Sequence, residues 1–223
     1  MYHKENLDDE YSIYLLLKLE QYRITENNDI KKAMKFAKFY HKGQFRKSRE
    51  PYYVHPITVA AMILQYTKNP IIVAGALLHD VIEDTEATVE IIEIEFGKRI
   101  AQIVARLTRN RPDGSQIGVE EIIINAIENN DRDVLLIKII DRLHNIQTIN
   151  AMPIKNIHKK INQTINEFVI LCEYMELPNL FIDELELIDN NRFINIKKKH
   201  FLSDSFQLLP LNFENEINPN RNR

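Results

Sequence analysis

Ala76-Leu77-Leu78-His79-Asp80-Val81-Ile82-Glu83-Asp84-Thr85 turns from wholly apolar to strongly acidic within a few residues. The run before it, Ile71–Ile82, repeats apolar side chains at three and four positions and predicts a buried helix. His79 and Glu83 lie four apart, as do Asp80 and Asp84, so each pair stacks on one side of a helix. Three carboxylates and an imidazole thus crowd a helix C-terminus, where the macrodipole already disfavours anions. Two carboxylates ~5 Å apart repel by roughly 3 kcal/mol at an effective dielectric of 20. Nothing basic within the segment relieves them, and a cation is the simplest remedy.

A second segment has the same character. Val134-Leu135-Leu136-Ile137-Lys138-Ile139-Ile140 reads as buried, then gives way to Asp141-Arg142-Leu143-His144-Asn145. Thr148 follows, so Asp141, Asn145 and Thr148 share a helix face. His55 is a third candidate, expected just outside the helix opened by Pro56. His55, His79, Asp80 and Asp141 make a two-His, two-Asp set suited to Mn²⁺, Fe²⁺ or Zn²⁺. Taken singly, a His or Asp ending an apolar helix is commonly a cap or a satisfied polar group. Asp141-Arg142 alone could be a local ion pair, and Asp131-Arg132-Asp133 reads as a helix-start charge cluster. His3, His41, His144, His158 and His200 are not expected to be metal ligands, with His41 and His144 assigned to a supporting shell or the core. The recurrence of the pattern in distant segments favours one shared site.

The rest of the chain is helical in pattern. Apolar periodicity marks Tyr11–Tyr22, Ile30–Tyr40, Ile57–Tyr66, Val89–Phe96, Ile100–Leu107, Glu120–Ile127, Val134–Ile149 and Ile157–Met175. Long alternating runs are absent, so the predicted class is all-α. Asn69-Pro70, Thr88 and Asp131 signal helix starts. Breaks are expected at Gly43–Tyr52, Glu83–Ala87, Arg109–Gly118 and Ala151–Pro153, with Arg109–Ser115 a mobile surface loop. Residues 1–189 are read as one domain. Residues 190–223, with Lys197–Lys199 and an Asn-rich end, are read as a polar, partly disordered tail docked at most by Phe201, Phe206, Leu208 and Leu209.

Composition narrows the function. The 223 residues carry 29 Lys and Arg against 32 Asp and Glu, a net charge of −3. That balance gives no nucleic-acid footprint. Five glycines and no GxGxxG or GxxxxGK[ST] argue against a glycine-rich phosphate loop. No run approaches the ~18 apolar residues of a membrane helix, and the N-terminus lacks a signal-peptide core. The single cysteine, Cys172, excludes a disulfide framework and fits a reducing, cytoplasmic location.

These motifs resemble those of the HD-domain metal phosphohydrolases, and more closely the alarmone hydrolase domain of RelA/SpoT-type proteins. His41-Lys42-Gly43-Gln44-Phe45-Arg46-Lys47-Ser48 and Glu50-Pro51-Tyr52-Tyr53-Val54-His55-Pro56 resemble its opening. Leu77–Thr85 resembles its central signature, and Phe96-Gly97 and Leu107-Thr108 its next landmarks. Asp131–Lys138 and Asp141-Arg142-Leu143-His144-Asn145 with Thr148 resemble its last. The similarity covers about residues 30–188. It implies a single helical HD domain that takes a nucleotide substrate, needs Mn²⁺, and removes the 3′-pyrophosphate from guanosine 3′,5′-bis(diphosphate) or its triphosphate form. It further implies that His55, His79, Asp80 and Asp141 hold the metal. Glu83 and Asp84 would orient and deprotonate the attacking water. Arg46, Lys47, Ser48, Tyr52, Asn145 and Thr148 would border the nucleotide.

Three positions depart from the resemblance. Arg49 stands where the family usually has Gly, Arg109 where it has Lys after Thr108, and Gln147 where Arg is common. The first is expected to stiffen or re-aim the nucleotide loop; the last removes a potential phosphate contact. The length leaves no room for the synthetase and regulatory domains of the longer relatives, so a stand-alone small hydrolase is expected. A different phosphorylated substrate such as NADPH, a non-catalytic alarmone-binding module, and a structural protein are the rival readings. The intact Glu83-Asp84 pair argues against the second, and the acidic clusters against the third.

Overall fold

The computed structural model describes residues 2–24, 28–111, 114–149, 152, 154–177 and 179–180. The elements are helical: α1 (Glu10–Gln21), α2 (Asn28–Tyr40), α3 (Val54–Ile63), α4 (Pro70–Leu78), the short α5 (Val81–Asp84), α6 (Val89–Phe96), α7 (Lys98–Leu107), α8 (Val119–Glu128), α9 (Arg132–Gln147), α10 (Ile154–Gln163) and α11 (Val169–Tyr174). Among the described residues there is no strand, only isolated bridges pairing Phe45 with Pro51 and Asn110 with Gln116. The all-α expectation holds. None of the described helices is long and apolar enough to cross a membrane.

Two helices organise the core. α4 is apolar on every side and buried from Ile72 to Leu78, as a helix without a polar face must be. It packs between α2, α3 and α7 and touches α9. Gly75 permits the approach: a Cβ there would lie 2.9 Å from Ile103 Cγ2 and 3.3 Å from Ile137 Cδ1. α9 is likewise buried along most of its length, against α3, α7, α8 and α11. Its apolar run drives it inward; each fully buried Leu or Ile contributes about 1.5–3 kcal/mol. The C-terminal ends of α4 and α9 therefore carry His79-Asp80 and Asp141–Asn145 into the interior.

The local start signals hold. Asn69 Oδ1 accepts from Ile71 N at 3.0 Å with Pro70 at the first helical position, and Thr88 Oγ1 accepts from Ile91 N at 3.4 Å. Gly97, at φ 83°, makes the joint between α6 and α7.

Four expectations are corrected. The segment Ile71–Ile82 is not one helix: α4 ends at Leu78, His79 and Asp80 form a turn, and α5 resumes at Val81. α3 starts at Val54, so His55 lies inside its first turn, with Pro56 behind it where no helical N–H is needed. The break expected from Glu83 starts later, since α5 runs to Asp84. The Ile157–Met175 helix widens into a π-helical stretch at Thr164–Phe168, where Thr164 Oγ1 donates to the Lys160 carbonyl at 2.8 Å and competes with the backbone ladder. The tail read at 190–223 and His200 lie outside the described residues.

Asp131 is the N-cap of α9 and is buried. Arg99 grips its two oxygens at 3.0 and 2.6 Å, and Arg106 donates to Oδ2. Burial alone would raise the Asp131 carboxyl, but the guanidiniums outweigh it and hold it below the ordinary value. An asparagine side chain in its place would keep the cap and lose the charge. Asp131→Asn should therefore cost about 2 kcal/mol at pH 7, the scale of hydrogen bonds to charged groups, discounted because both arginines are part-exposed. The folded value lies below the unfolded one, so this stabilisation is present above the usual carboxylate range and fades as pH falls through the folded value. Urea unfolding of both proteins from pH 7 downward should show the gap closing in acid; a pH-independent gap would mean that the charge contributes nothing.

Candidate functional site

α3, the α4–α5 turn and α9 meet at one point. One nitrogen each of His55 and His79 and one oxygen of Asp141 lie within 4.8 Å of one another, all three residues buried. His55 Nε2 is 3.1 Å from Asp141 Oδ1 and 3.5 Å from Asp80 Oδ2. His79 Nε2 is 3.2 Å from Asp80 Oδ1 and 3.7 Å from Asp141 Oδ1. All four residues named from the sequence converge here.

The donor atoms are prepared for a cation. His79 Nδ1 lies 2.7 Å from the Ala76 carbonyl oxygen, which only accepts, so the proton on that nitrogen points at the backbone. Its Nε2 faces the two aspartates and is buried without an aligned hydrogen-bond partner among the described residues. Burial would lower the His79 imidazole, but Asp80 and Asp141 overcome it and hold it up at about 10. Burial likewise opposes the Asp141 charge. Lys138, whose Nζ is 3.2 Å from Oδ2, and the two histidines win and keep that carboxyl well below its usual range. In effect a proton on His79 offsets the aspartates, and a divalent ion binding to imidazole nitrogen and carboxylate would displace it. Two inward imidazole nitrogens, one of them the orphaned buried Nε2 of His79, and two carboxylates fit such an ion.

Glu83 and Asp84 stand beside this cluster on α5. Burial and the Asp80 charge push both carboxyls up. Glu83 Oε2 accepts from the Arg109 backbone N at 3.0 Å. The flank of the Arg109–Ser115 loop is thus tied to α5, with Asn110 Nδ2 adding a bond to the Glu83 carbonyl at 3.2 Å; residues 112–113 are not described. Tyr52 Oη lies 2.6 Å from Asp84 Oδ2 and 3.0 Å from Asp80 Oδ2. Burial and those two carboxylates raise the phenol far above its ordinary value, so it stays protonated and its hydrogen links the two acids. His41 stacks on the Tyr52 ring at 4.7 Å and holds it there.

Arg46 reaches across to the end of α9. Its Nη2 is 3.2 Å from Asn145 Oδ1 and 3.3 Å from Thr148 Oγ1, and its Nη1 is 3.4 Å from His144 Nδ1. Burial, then the His55 and Arg46 charges, push the His144 imidazole down to about 3. Asn145 Nδ2 in turn donates to Asp141 Oδ1 at 2.6 Å. Arg46, Lys47, Ser48, Tyr52, His55, Asp80, Glu83, Asp84, Asp141, Asn145 and Thr148 all line one cavity of about 430 Å³; His79 sits behind it. Ser48 Oγ is bonded to Glu50 at 2.9 Å.

Sequence reasoning missed most of the basic side chains of the cavity wall. Lys138, Arg142 and Lys160 line the same cavity. Lys138 was findable, being three residues before Asp141 on one helix face. Lys160 had no local signal; burial and Arg142, joined by Lys138 and Arg46, push its ammonium down to about 8.

Arg49 has φ 71°, the left-handed region that disfavours a side chain. It closes the Arg46–Arg49 turn through a 2.9 Å backbone bond and is itself exposed. The departure therefore leaves the turn in the conformation a glycine prefers, at a cost of about 1–2 kcal/mol. Arg49→Gly should recover part of this, a net gain of about 0.5 kcal/mol after the extra freedom of glycine in the unfolded chain. Thermal unfolding checks it, and a lower midpoint would contradict it.

The helical fold and this two-His, two-Asp donor set fit an HD domain, and the chain matches the family described as HD domain over residues 33–121. It is 40% identical over 119 residues, half of its own length, to a guanosine-3′,5′-bis(diphosphate) 3′-pyrophosphohydrolase of Haemophilus influenzae. It is 29% identical over 180 residues, 76% of its length, to the bifunctional (p)ppGpp synthase/hydrolase SpoT of Escherichia coli. The chain spans only 17% and 25% of those two relatives. A solved structure, described as a metazoan ortholog of SpoT that hydrolyzes ppGpp, superposes with a TM-score of 0.56 at 22% identity, covering 75% of this chain and 98% of that one. At that identity the likeness speaks for the fold.

Proposed function

We propose that this chain hydrolyses guanosine 3′,5′-bis(diphosphate) and its triphosphate form, releasing the 3′-pyrophosphate, with Mn²⁺ held by His55, His79, Asp80 and Asp141. The observation that carries the reading is a single cavity lined both by acidic side chains, able to hold a cation and accept a proton, and by the basic Arg46, Lys138, Arg142 and Lys160. A substrate with phosphate groups at two positions suits both sets, and the relatives' names supply its identity.

A bound divalent ion would polarise the phosphorus and lower the pKa of water. The chain's own residues do the rest. Glu83, with one oxygen fixed by Arg109 N, accepts the proton of the attacking water. The water oxygen bonds to phosphorus as the O3′–phosphorus bond breaks, the proton taken up by Glu83 is returned, directly or through solvent, to O3′, and pyrophosphate leaves. Tyr52 holds Asp84 and Asp80 at a set separation during the step. Arg46 and Lys47 bring positive charge to phosphates that the acidic side chains would otherwise repel.

The test is an assay in Mn²⁺ against both alarmones, NADPH and common nucleotides, identifying the product. Pyrophosphate from the alarmones supports the proposal. Inorganic phosphate from NADPH, or tight alarmone binding with no product, would replace it by one of the rival readings.

A further inference from the structure

The two imidazoles facing Asp141 are anchored by different means. His79 Nδ1 has a backbone carbonyl as partner, which leaves no choice of tautomer. Among the described residues His55 Nδ1 has no such carbonyl; its partner is His144 Nδ1 at 2.7 Å. Two ring nitrogens at that distance share one proton, and the pair alone does not fix its owner. Arg46 favours His55. Its Nη1 sits 3.4 Å from the same His144 nitrogen, and a guanidinium can only donate. With His55 Nε2 given to a cation, the proton of His55 stands on Nδ1 and His144 Nδ1 accepts it, on the side the guanidinium also favours. Without a cation, Asp141 Oδ1, 3.1 Å from His55 Nε2 and only an acceptor, competes for that proton.

We infer that His144 is a positioning residue: it fixes the ring orientation of His55 and keeps the proton on Nδ1, which frees Nε2 for a cation beside Asp141, while Arg46 favours that direction of the bond. Ligand imidazoles are commonly oriented by a partner on their other nitrogen. Here that partner is a second imidazole, itself held by a residue of the loop after α2. The inference rests on His55 belonging to the proposed metal site.

The test separates acceptor from bulk. His144→Asn places an amide oxygen near the position of Nδ1 and retains an acceptor; His144→Leu removes it. Calorimetric titration with Mn²⁺, in the absence of any nucleotide, should show His144→Leu weakened about 10–100-fold and His144→Asn within about three-fold of the unaltered chain. ¹⁵N NMR of the unaltered chain loaded with diamagnetic Zn²⁺ should show His55 Nδ1 protonated and His144 Nδ1 bare. Equal Mn²⁺ affinity in all three proteins, or equal weakening in both variants, would overturn the inference, as would a proton on His144 Nδ1. This measurement stands even where the Leu variant does not fold. An unaltered chain that takes up neither Mn²⁺ nor Zn²⁺ sinks the metal reading itself, and this inference falls with it.

Discussion

Asp141→Asn should abolish uptake of Mn²⁺ at concentrations that saturate the unaltered chain. This carboxylate faces both imidazoles and a lysine. Oδ1 faces His55 Nε2 at 3.1 Å and accepts from Asn145, and Oδ2 receives Lys138. Asparagine removes the charge and turns one end of the group into a donor, directed at either an imidazole or an ammonium. Loss of a supporting partner costs about 10–100-fold in metal affinity, so loss of a charged ligand should exceed about 100-fold. Hydrolysis should fall further, by about 10³-fold or more, because polarising the phosphorus and activating water are together worth several kcal/mol. Thermal unfolding gives a second readout. At 100 times its dissociation constant Mn²⁺ should stabilise the unaltered chain by about 2.7 kcal/mol, and the variant by nothing at the same concentration. A variant stabilised as much as its parent would place the ion elsewhere.

The features legible in the sequence were local ones. Asn69-Pro70, Thr88 and Asp131 announce their helices because a cap is satisfied within three residues. His79-Asp80 and Asp141 stand out because polar groups end apolar runs, a pattern visible without tertiary structure. The single helix read across Ile71–Ile82 failed for a related reason: apolar periodicity runs on through the turn. The imidazole and carboxylate of that turn are instead directed at α9 and α3, elements the periodicity cannot see.

Partnerships across the chain were not legible at all. Tyr52 reads as a pocket wall until its hydroxyl is seen between Asp80 and Asp84. His144, 89 residues from His55, reads as core until their nitrogens meet. Lys160 lies on a helix packed against the end of α9 through Ile157 and Ile161, which brings it to the same cavity as the acids. Arg49 falls between: the departure was plain, and its consequence needed the backbone angle, which shows strain at the turn and no new contact to the cavity among the described residues.

Glu83→Gln should lower kcat by 10² to 10⁴-fold, the usual range for a general base, or about 2.7–5.5 kcal/mol, and leave Mn²⁺ affinity within a few-fold of the parent. Glutamine keeps the size of the side chain and an oxygen for the Arg109 N–H, so the α5–loop tie at 3.0 Å survives. It loses only the capacity to take a proton. KM should change little, since Glu83 is asked to act on water and not on the nucleotide. Asp84→Asn is the informative companion. Tyr52 already occupies Asp84 Oδ2 with a 2.6 Å bond, which spends that oxygen on holding the pair together. Its loss should therefore loosen Tyr52 and Asp80, raising the Mn²⁺ requirement as well as lowering kcat. A Glu83→Gln chain with full turnover, beside an Asp84→Asn chain with none and unchanged Mn²⁺ binding, would exchange the two roles. Comparable losses of Mn²⁺ binding in both would instead draw the two acids into the ion's own shell.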